Sequence, residues 1–458
     1  MANITQVLTL PTAGAYFFDD LAALQKKPLP ESERYTAQPI TPGFHAVREP
    51  AEALAVGVVL ENGIVGWGEC SAVEFSGAAG RDPVFRADTA LKRIKQLVIP
   101  QLVDQPIQNY RDLAAKIEAI QITVTEERLF PNRKQGGKIS RRDLLKAPGR
   151  LLTDGPEIEK ITHDRPLHTA IRYGVSQALF AAAALEQDLL LTELICQDWE
   201  LPLPKQAVPI HAQCGGNRFR GAEKMILRGV SSLPHALVDN IPEQLGKDAI
   251  QLIRYTKWLK GRINQLGKEG YHPTIHLDLH GGLGKIYDQD LGKVLGTLHA
   301  LERAAHPYPL RIECPLIRET REAQIETLAA LRELLKFRKM KVKVVADEWA
   351  NTLEDIQAFI TDQAADMIQI KMPDLGGLQN TIEAVLACKS GGVETFLGGS
   401  CAETDLTARI SAQVALALQP DLVLAKPGMG IDEGITIINN EMARCLAWLQ
   451  TKTNSNDN

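Results

Sequence analysis

Three acids and a lysine stand where an apolar core would reject them. Asp278 closes the run TIHLD, Glu313 closes LRIE, Asp347 closes VKVVAD and Lys371 closes MIQIK. Each run is short, apolar and followed by turn formers or a helical pattern, which reads as a buried strand. The interval from one polar residue to the next is the length of one strand–helix unit. Consecutive strands of a parallel sheet would therefore present the four groups side by side at their carboxyl ends. Three carboxylates converging in a dry place repel one another unless a cation compensates them. Oxygen donors with no Cys or His partner in the pattern favour Mg²⁺, a hard ion that keeps positions open for water or substrate.

The lysine follows from the acids. Period-2 alternation puts Gln369 and Lys371 on one strand face, pointing the same way. Burial and a neighbouring divalent cation both disfavour an ammonium, so its proton affinity is expected to fall toward that of a base. Such a base can remove the proton next to a carboxylate, and a cation stabilises the enediolate charge that develops. Each acid alone reads more simply as a helix cap or a surface ion pair. Their register on successive strands turns the balance toward chemistry.

The elements that must position these groups begin near residue 205. Short apolar runs alternate there with amphipathic segments such as REAQIETLAALRELLKF and NTLEDIQAFITDQ. AVPIHAQ, SSLPHAL, TIHLDLH, LRIECP, VKVVADEW, MIQIKMPD, VETFLGG and LVLAKPGMG give eight strands, enough to close a (β/α) barrel. The first ~100 residues read instead as a small α+β domain, with a hairpin turning at Glu61, Asn62 and Gly63. The expected division is a capping domain over 1–165, a barrel over 166–446 and a polar tail over 447–458. Residues 128–150 hold eight Lys or Arg against one Asp, with Pro and Gly, and read as an exposed basic insertion.

Composition narrows the partners. With 45% hydrophobic and 23% charged residues the chain suits an ordinary soluble enzyme. A net charge of -5 argues against general affinity for nucleic acid or an anionic membrane. No apolar run approaches membrane-spanning length, and no secretory signal is visible. Seven cysteines without paired spacing argue against a disulfide framework and a structural zinc site, so a reducing cytoplasmic location is expected.

The motif set resembles the enolase superfamily and, within it, the methylaspartate ammonia-lyases. LPHAL, HLDLHG, IECP, VADEW, QIKMPDLGG, GGSCAET and KPGMGIDEG carry the likeness, together with AYFFDD, FSGAAGRDP and HTAIRYGVSQAL. The resemblance implies a modified TIM barrel with an N-terminal α+β cap, Mg²⁺, and usually a monovalent cation such as K⁺. It implies loss of ammonia from threo-3-methylaspartate to give mesaconate, in a chain that is commonly a homodimer acting in amino-acid degradation. By motif, Asp278, Glu313 and Asp347 would bind the metal, and Lys371 would take the proton from C3. His235 and Gln369 would bind the carboxylate held by the metal, with His235 also a second base for the other epimer. Gln177, Ser400 and Cys401 would hold the second carboxylate, and Glu74 and Leu424 would join the substrate-binding set. FSGAAGRDP would form a mobile loop over the mouth.

Four positions depart from the family pattern. Glu74 stands for glutamine, Ser400 for threonine, Cys314 for the glycine after the metal glutamate, and QCGGNR for a more acidic segment. Glu74 bears most on substrate, because a carboxylate ~4 Å from a dicarboxylate costs about 1 to 4 kcal/mol. It is tolerable if protonated, paired with a cation such as Arg81, or turned toward the substrate ammonium. The resemblance leaves two alternatives: a different dehydration or racemisation on a carboxylate substrate, and a catalytically silent homologue.

Overall fold

The computed structural model describes residues 2–26, 29–130, 157–214 and 217–456. Two compact units result: residues 1–117 with 168–458, and residues 118–167. The second unit contains an antiparallel ribbon of β4 (Gln121–Phe130) and β5 (Glu157–Pro166), in register from Gln121 opposite Pro166 to Phe130 opposite Glu157. Most of the basic stretch expected at 128–150 lies outside the described residues.

In the larger unit β1 (Ile4–Asp19), β2 (Arg48–Leu60) and β3 (Val65–Cys70) form an antiparallel sheet. The hairpin between β2 and β3 turns where expected, with Gly63 at φ +84°, a conformation that costs glycine nothing. Its closure is a pair of backbone bonds, Gly63 N–H to the Leu60 carbonyl (2.9 Å) and Leu60 N–H to the Ile64 carbonyl (2.8 Å). β3 packs against the helix Thr169–Glu186 through glycines on both sides. A Cβ on Gly68 would collide with the Gly174 carbonyl, and one on Gly174 with the backbone of Cys70.

All eight expected strands are present and close into a parallel barrel. They are β6 (Ile210–Ala212), β7 (Ser232–His235), β8 (Thr274–Asp278), β9 (Leu310–Glu313), β10 (Lys343–Ala346), β11 (Met367–Ile370), β12 (Glu394–Leu397) and β13 (Leu422–Ala425). Ridges of Val345, Met367, Phe396, Leu422 and Leu424 fill part of the interior. Helices follow the strands as expected. Arg321–Phe337 starts at Thr320, whose hydroxyl accepts from Ala323 N–H at 3.2 Å, and Leu353–Thr361 starts with a capping box from Thr352 and Asp355. The last helix, Ile431–Asn456, runs on through most of the segment that its polar composition had assigned to a tail. Among the described residues no helix is long and apolar enough to cross a membrane.

Candidate functional site

Parallel register brings the acids together. Asp278 pairs with Glu313 across β8 and β9, and Val345, two residues before Asp347, pairs with Glu313 across β9 and β10. Asp347 and Lys371 lie one residue beyond the ends of β10 and β11. Asp278, Asp347 and Lys371 open toward one cavity of about 850 Å³, which Gln369 and His235 line with them. Glu313 lies beneath it and is fully buried.

Hydrogen bonds fix each group. Lys371 Nζ donates to Asp347 Oδ2 at 2.7 Å. His235 Nε2 lies 3.3 Å from Asp278 Oδ2 and 3.8 Å from Glu313 Oε2. Gln369 Nε2 donates to Glu313 Oε1, while His276 Nε2 sits 2.6 Å from Glu313 Oε2. A histidine is therefore close to the acids, contrary to the oxygen-only pattern expected. His235, Asp278 and Glu313 offer ligand atoms within 4.8 Å of one another.

The charges are not balanced by the acids' own surroundings. Burial, then the charge of Asp347, pushes Asp278 well above the usual carboxylate range; burial, then Asp278 and Asp347, does the same to Glu313. Asp347 Oδ1 is buried with no hydrogen-bond partner. Three converging carboxylates, two of them resisting ionisation and the third with an unsatisfied oxygen, are a donor set that fits a hard divalent cation.

Lys371 is held as an ammonium by the surrounding acids. Burial is the largest single effect and pulls its proton affinity down, but Asp347, Glu348 and Asp374 together outweigh it and hold the ammonium above its ordinary range. Asp347, at 2.7 Å, is the strongest of these acids. His235 behaves oppositely. Burial, with His211 and Lys371 nearby, drives it well below the ordinary histidine range, so it is neutral.

Backbone strain gathers at the same rim. His235 (φ +68°), His280 (+43°), Cys314 (+41°) and Trp349 (+69°) are left-handed non-glycine residues. They follow or end β7, β8, β9 and β10, where the chain must turn sharply to aim a side chain inward. Cys314 stands where the family pattern has glycine, and its positive φ supplies the reason for that pattern.

The cap loop carries a cation across to the barrel. Arg81 in FSGAAGRDP is buried and places Nε 2.8 Å from Asp374 Oδ2, one terminal nitrogen 2.7 Å from Glu348 Oε2 and the other 3.7 Å from Asp347 Oδ1. Burial alone would raise Glu348, but Arg81 holds it down at about 2. Asn351 Nδ2 also donates to the Ala79 carbonyl at 2.6 Å, and the Phe75 ring lies 5.3 Å from that of His280. Arg81 is thus committed to three barrel acids and is not the counter-ion of Glu74.

Glu74 lines the cavity with Ser400 and Cys401. Burial, reinforced by Asp19, pushes it up to about 7, against smaller opposing effects from the Cys401 thiol and Arg48. Ser400 N–H donates to Glu403 Oε2 at 2.6 Å, so this amide is already engaged rather than offered to an anion. The Ser400 hydroxyl accepts from Ala402 N–H at 3.2 Å, which leaves its proton to donate.

Two expected residues do not line the cavity. Gln177 is fully buried: its Oε1 accepts from Glu69 N–H at 3.2 Å and its Nε2 donates to the Glu69 carbonyl at 3.4 Å. The tight glycine packing of its helix on β3 turns this amide to the sheet, and it is not among the cavity-lining residues. Leu424 is 1% exposed inside the barrel's apolar cluster and likewise does not line the cavity. His276, Arg81 and Glu348 gain a place at the site that the sequence reading did not give them. Alternation in HLDLH could have found His276, which shares a strand face with Asp278.

Comparison with known proteins agrees over nearly the whole chain. A model described as methylaspartate ammonia-lyase C-terminus matches residues 202–451, and one for the N-terminus matches 2–132 and 149–200. Methylaspartate ammonia-lyase 2 of Carboxydothermus hydrogenoformans is 40% identical over 450 residues, covering 98% of this chain and 99% of the relative. The crystal structure of the Citrobacter amalonaticus methylaspartate ammonia-lyase containing (2S,3S)-3-methylaspartic acid superposes with a TM-score of 0.86, at 38% identity, over 98% of this chain and 100% of the other. The Mg-complex of β-methylaspartase from Clostridium tetanomorphum gives a TM-score of 0.83 at 35% identity, over the same shares.

Proposed function

The chain belongs to the methylaspartate ammonia-lyase family, and from that premise we propose how its own residues perform the elimination. It is a carbon–nitrogen lyase acting on 3-methylaspartate. The observation that carries the mechanism is the Lys371 ammonium 2.7 Å from Asp347, at one edge of a mouth that also holds Asp278 and His235.

Asp278, Glu313 and Asp347 would hold Mg²⁺. Bound there, the ion would supply the positive charge that stabilises an enediolate and competes with the Lys371 ammonium for Asp347. Lys371, once neutral, takes the proton from C3. The C3–H electron pair moves into the neighbouring carboxylate as an enediolate, then returns to form the C2–C3 double bond as the C2–N bond breaks. Ammonia and mesaconate leave, and Lys371 keeps the proton until solvent removes it.

His235 and Gln369 orient the carboxylate at the reacting end. Gln369 is itself braced by Glu313, so its amide is fixed before substrate arrives. Neutral His235 can accept the C3 proton from the opposite side in the other epimer. The Ser400 hydroxyl and Cys401 face the second carboxylate, and protonated Glu74 donates to the same end. Arg81 clamps the cap loop over the mouth and excludes water.

We further propose a monovalent cation such as K⁺, a homodimer, a cytoplasmic location and a role in amino-acid degradation. The direct test incubates the pure protein with Mg²⁺, K⁺ and threo-3-methylaspartate and follows mesaconate and ammonia. Equal amounts of both are expected. Their absence, with turnover of another carboxylate, would overturn the substrate.

A further inference from the structure

Beneath the loop that carries Ser400 lies an ion pair from which water is wholly excluded. Lys426, the residue after β13, and Glu403 are both 0% exposed, and their Nζ and Oε2 are 2.9 Å apart. A buried pair of this kind costs much desolvation and is weak evidence for stability, so its connections are informative.

Two of those connections run to the substrate loop and one to the helix Thr169–Glu186. Lys426 Nζ also donates to the Gly398 carbonyl at 3.2 Å. Glu403 Oε2 accepts the Ser400 amide at 2.6 Å, and Glu403 Oε1 accepts the Tyr173 hydroxyl at 3.0 Å. Gly399 lies directly over the pair, where any Cβ would collide with both charged groups. A Cβ on the preceding Gly398 would meet the Gln369 side chain at 2.7 Å. The loop is therefore held between Gln369, at the reacting end of the cavity, and the ion pair behind it.

We propose that Lys426 and Glu403 are positioning residues that fix the Gly398–Cys401 loop and thereby aim the Ser400 hydroxyl at the second carboxylate of the substrate. Neither touches the cavity, and neither is a metal ligand or a base. The pair sets the backbone from behind: the lysine anchors one carbonyl, the glutamate anchors one amide two residues on, and Tyr173 fixes the glutamate from the barrel-side helix. The glycines are required because the loop must pass within contact distance of both partners. The inference rests on the reading of Ser400 as a substrate contact.

The test is the double variant Lys426→Met/Glu403→Gln, which removes both charges and keeps an amide acceptor for Ser400, with Tyr173→Phe as a milder second variant. KM for 3-methylaspartate is expected to rise at least tenfold in the double variant and about threefold in Tyr173→Phe, with kcat within about twofold and Mg²⁺ affinity by calorimetry unchanged. Hydrogen exchange at the Ser400 amide is expected to quicken at least tenfold in the double variant. If the double variant does not fold, the KM and exchange changes in Tyr173→Phe decide the matter. Unchanged KM and exchange, or Mg²⁺ affinity falling in parallel with KM, would overturn the positioning role. Inactivity of the unaltered protein toward 3-methylaspartate would overturn the substrate reading instead, while the exchange rates would still decide whether the pair holds the loop.

Discussion

Replacing Glu74 by glutamine separates charge from shape at the position where this chain departs from its family. Burial and Asp19 raise the Glu74 carboxyl to about 7 from an ordinary 4.5. The groups that face it are Tyr16, Asp19, Arg48, Asp239 and Cys401. The Tyr16 phenol and the Cys401 thiol are both pushed upward by burial, so neither gains charge between pH 6 and about 8. In that window Glu74 changes from a neutral donor to an anion on the cavity wall it shares with Ser400 and Cys401. If only the neutral form admits the second carboxylate of the substrate, KM rises about tenfold for each pH unit above 7, while Glu74→Gln keeps a flat KM. Stability moves with the same sign. The folded carboxyl binds its proton more tightly than the unfolded one, so between about 4.5 and 7 the folded state holds more protons and stability falls as pH rises. The loss is at most about 3 kcal/mol, complete above pH 7. Glu74→Gln should therefore melt at the same temperature as the parent at pH 4.5 and several degrees higher at pH 8. Steady-state kinetics from pH 6 to 8.5 and thermal melts at both pH values check the two halves. A parallel KM profile in the variant would refute the reasoning, whereas a KM that falls as pH rises in the parent alone would place Glu74 against the substrate ammonium instead.

Three other outcomes are expected. Lys371→Ala should lower kcat by at least about 10³-fold and abolish exchange of the C3 proton with deuterated water, with Mg²⁺ binding retained by calorimetry. Asp278→Asn should weaken Mg²⁺ at least about 100-fold, and chelation of the parent should remove activity that added Mg²⁺ restores. Arg81→Met strands Glu348 and Asp374 as buried carboxylates and should cost about 3–5 kcal/mol in denaturant unfolding at neutral pH. Because Arg81 holds Glu348 low, that cost belongs to pH values above the ordinary glutamate range and should shrink as pH falls toward about 2.

The barrel was legible because its strands are short apolar runs, and because a polar residue at a strand end is conspicuous against them. Asp278, Glu313, Asp347 and Lys371 come together on that signal alone. What the sequence could not show was the net effect of opposing terms on one group. Burial lowers Lys371 while Asp347, Glu348 and Asp374 raise it, and the separations that set the balance are tertiary quantities. The contacts of Gln177 with the Glu69 backbone follow from the close packing of its helix on β3, which sequence position does not show. Arg81 and Glu348 are distant in sequence, and only the fold of the cap loop reveals that they are partners.

The glycine seam between β3 and the helix Thr169–Glu186 limits how the enzyme can open. With backbone against backbone at Gly68 and Gly174, no side chain remains to slide past another, and the contact has one seating rather than several. A methyl group on either glycine would force the sheet and the helix apart. The loop that carries Arg81 is fixed in a different way, by ion pairs to Glu348 and Asp374 that charge and water can loosen. Two missing side chains thus make one contact that tolerates no enlargement, whereas the contact at the cavity wall depends on pH and salt.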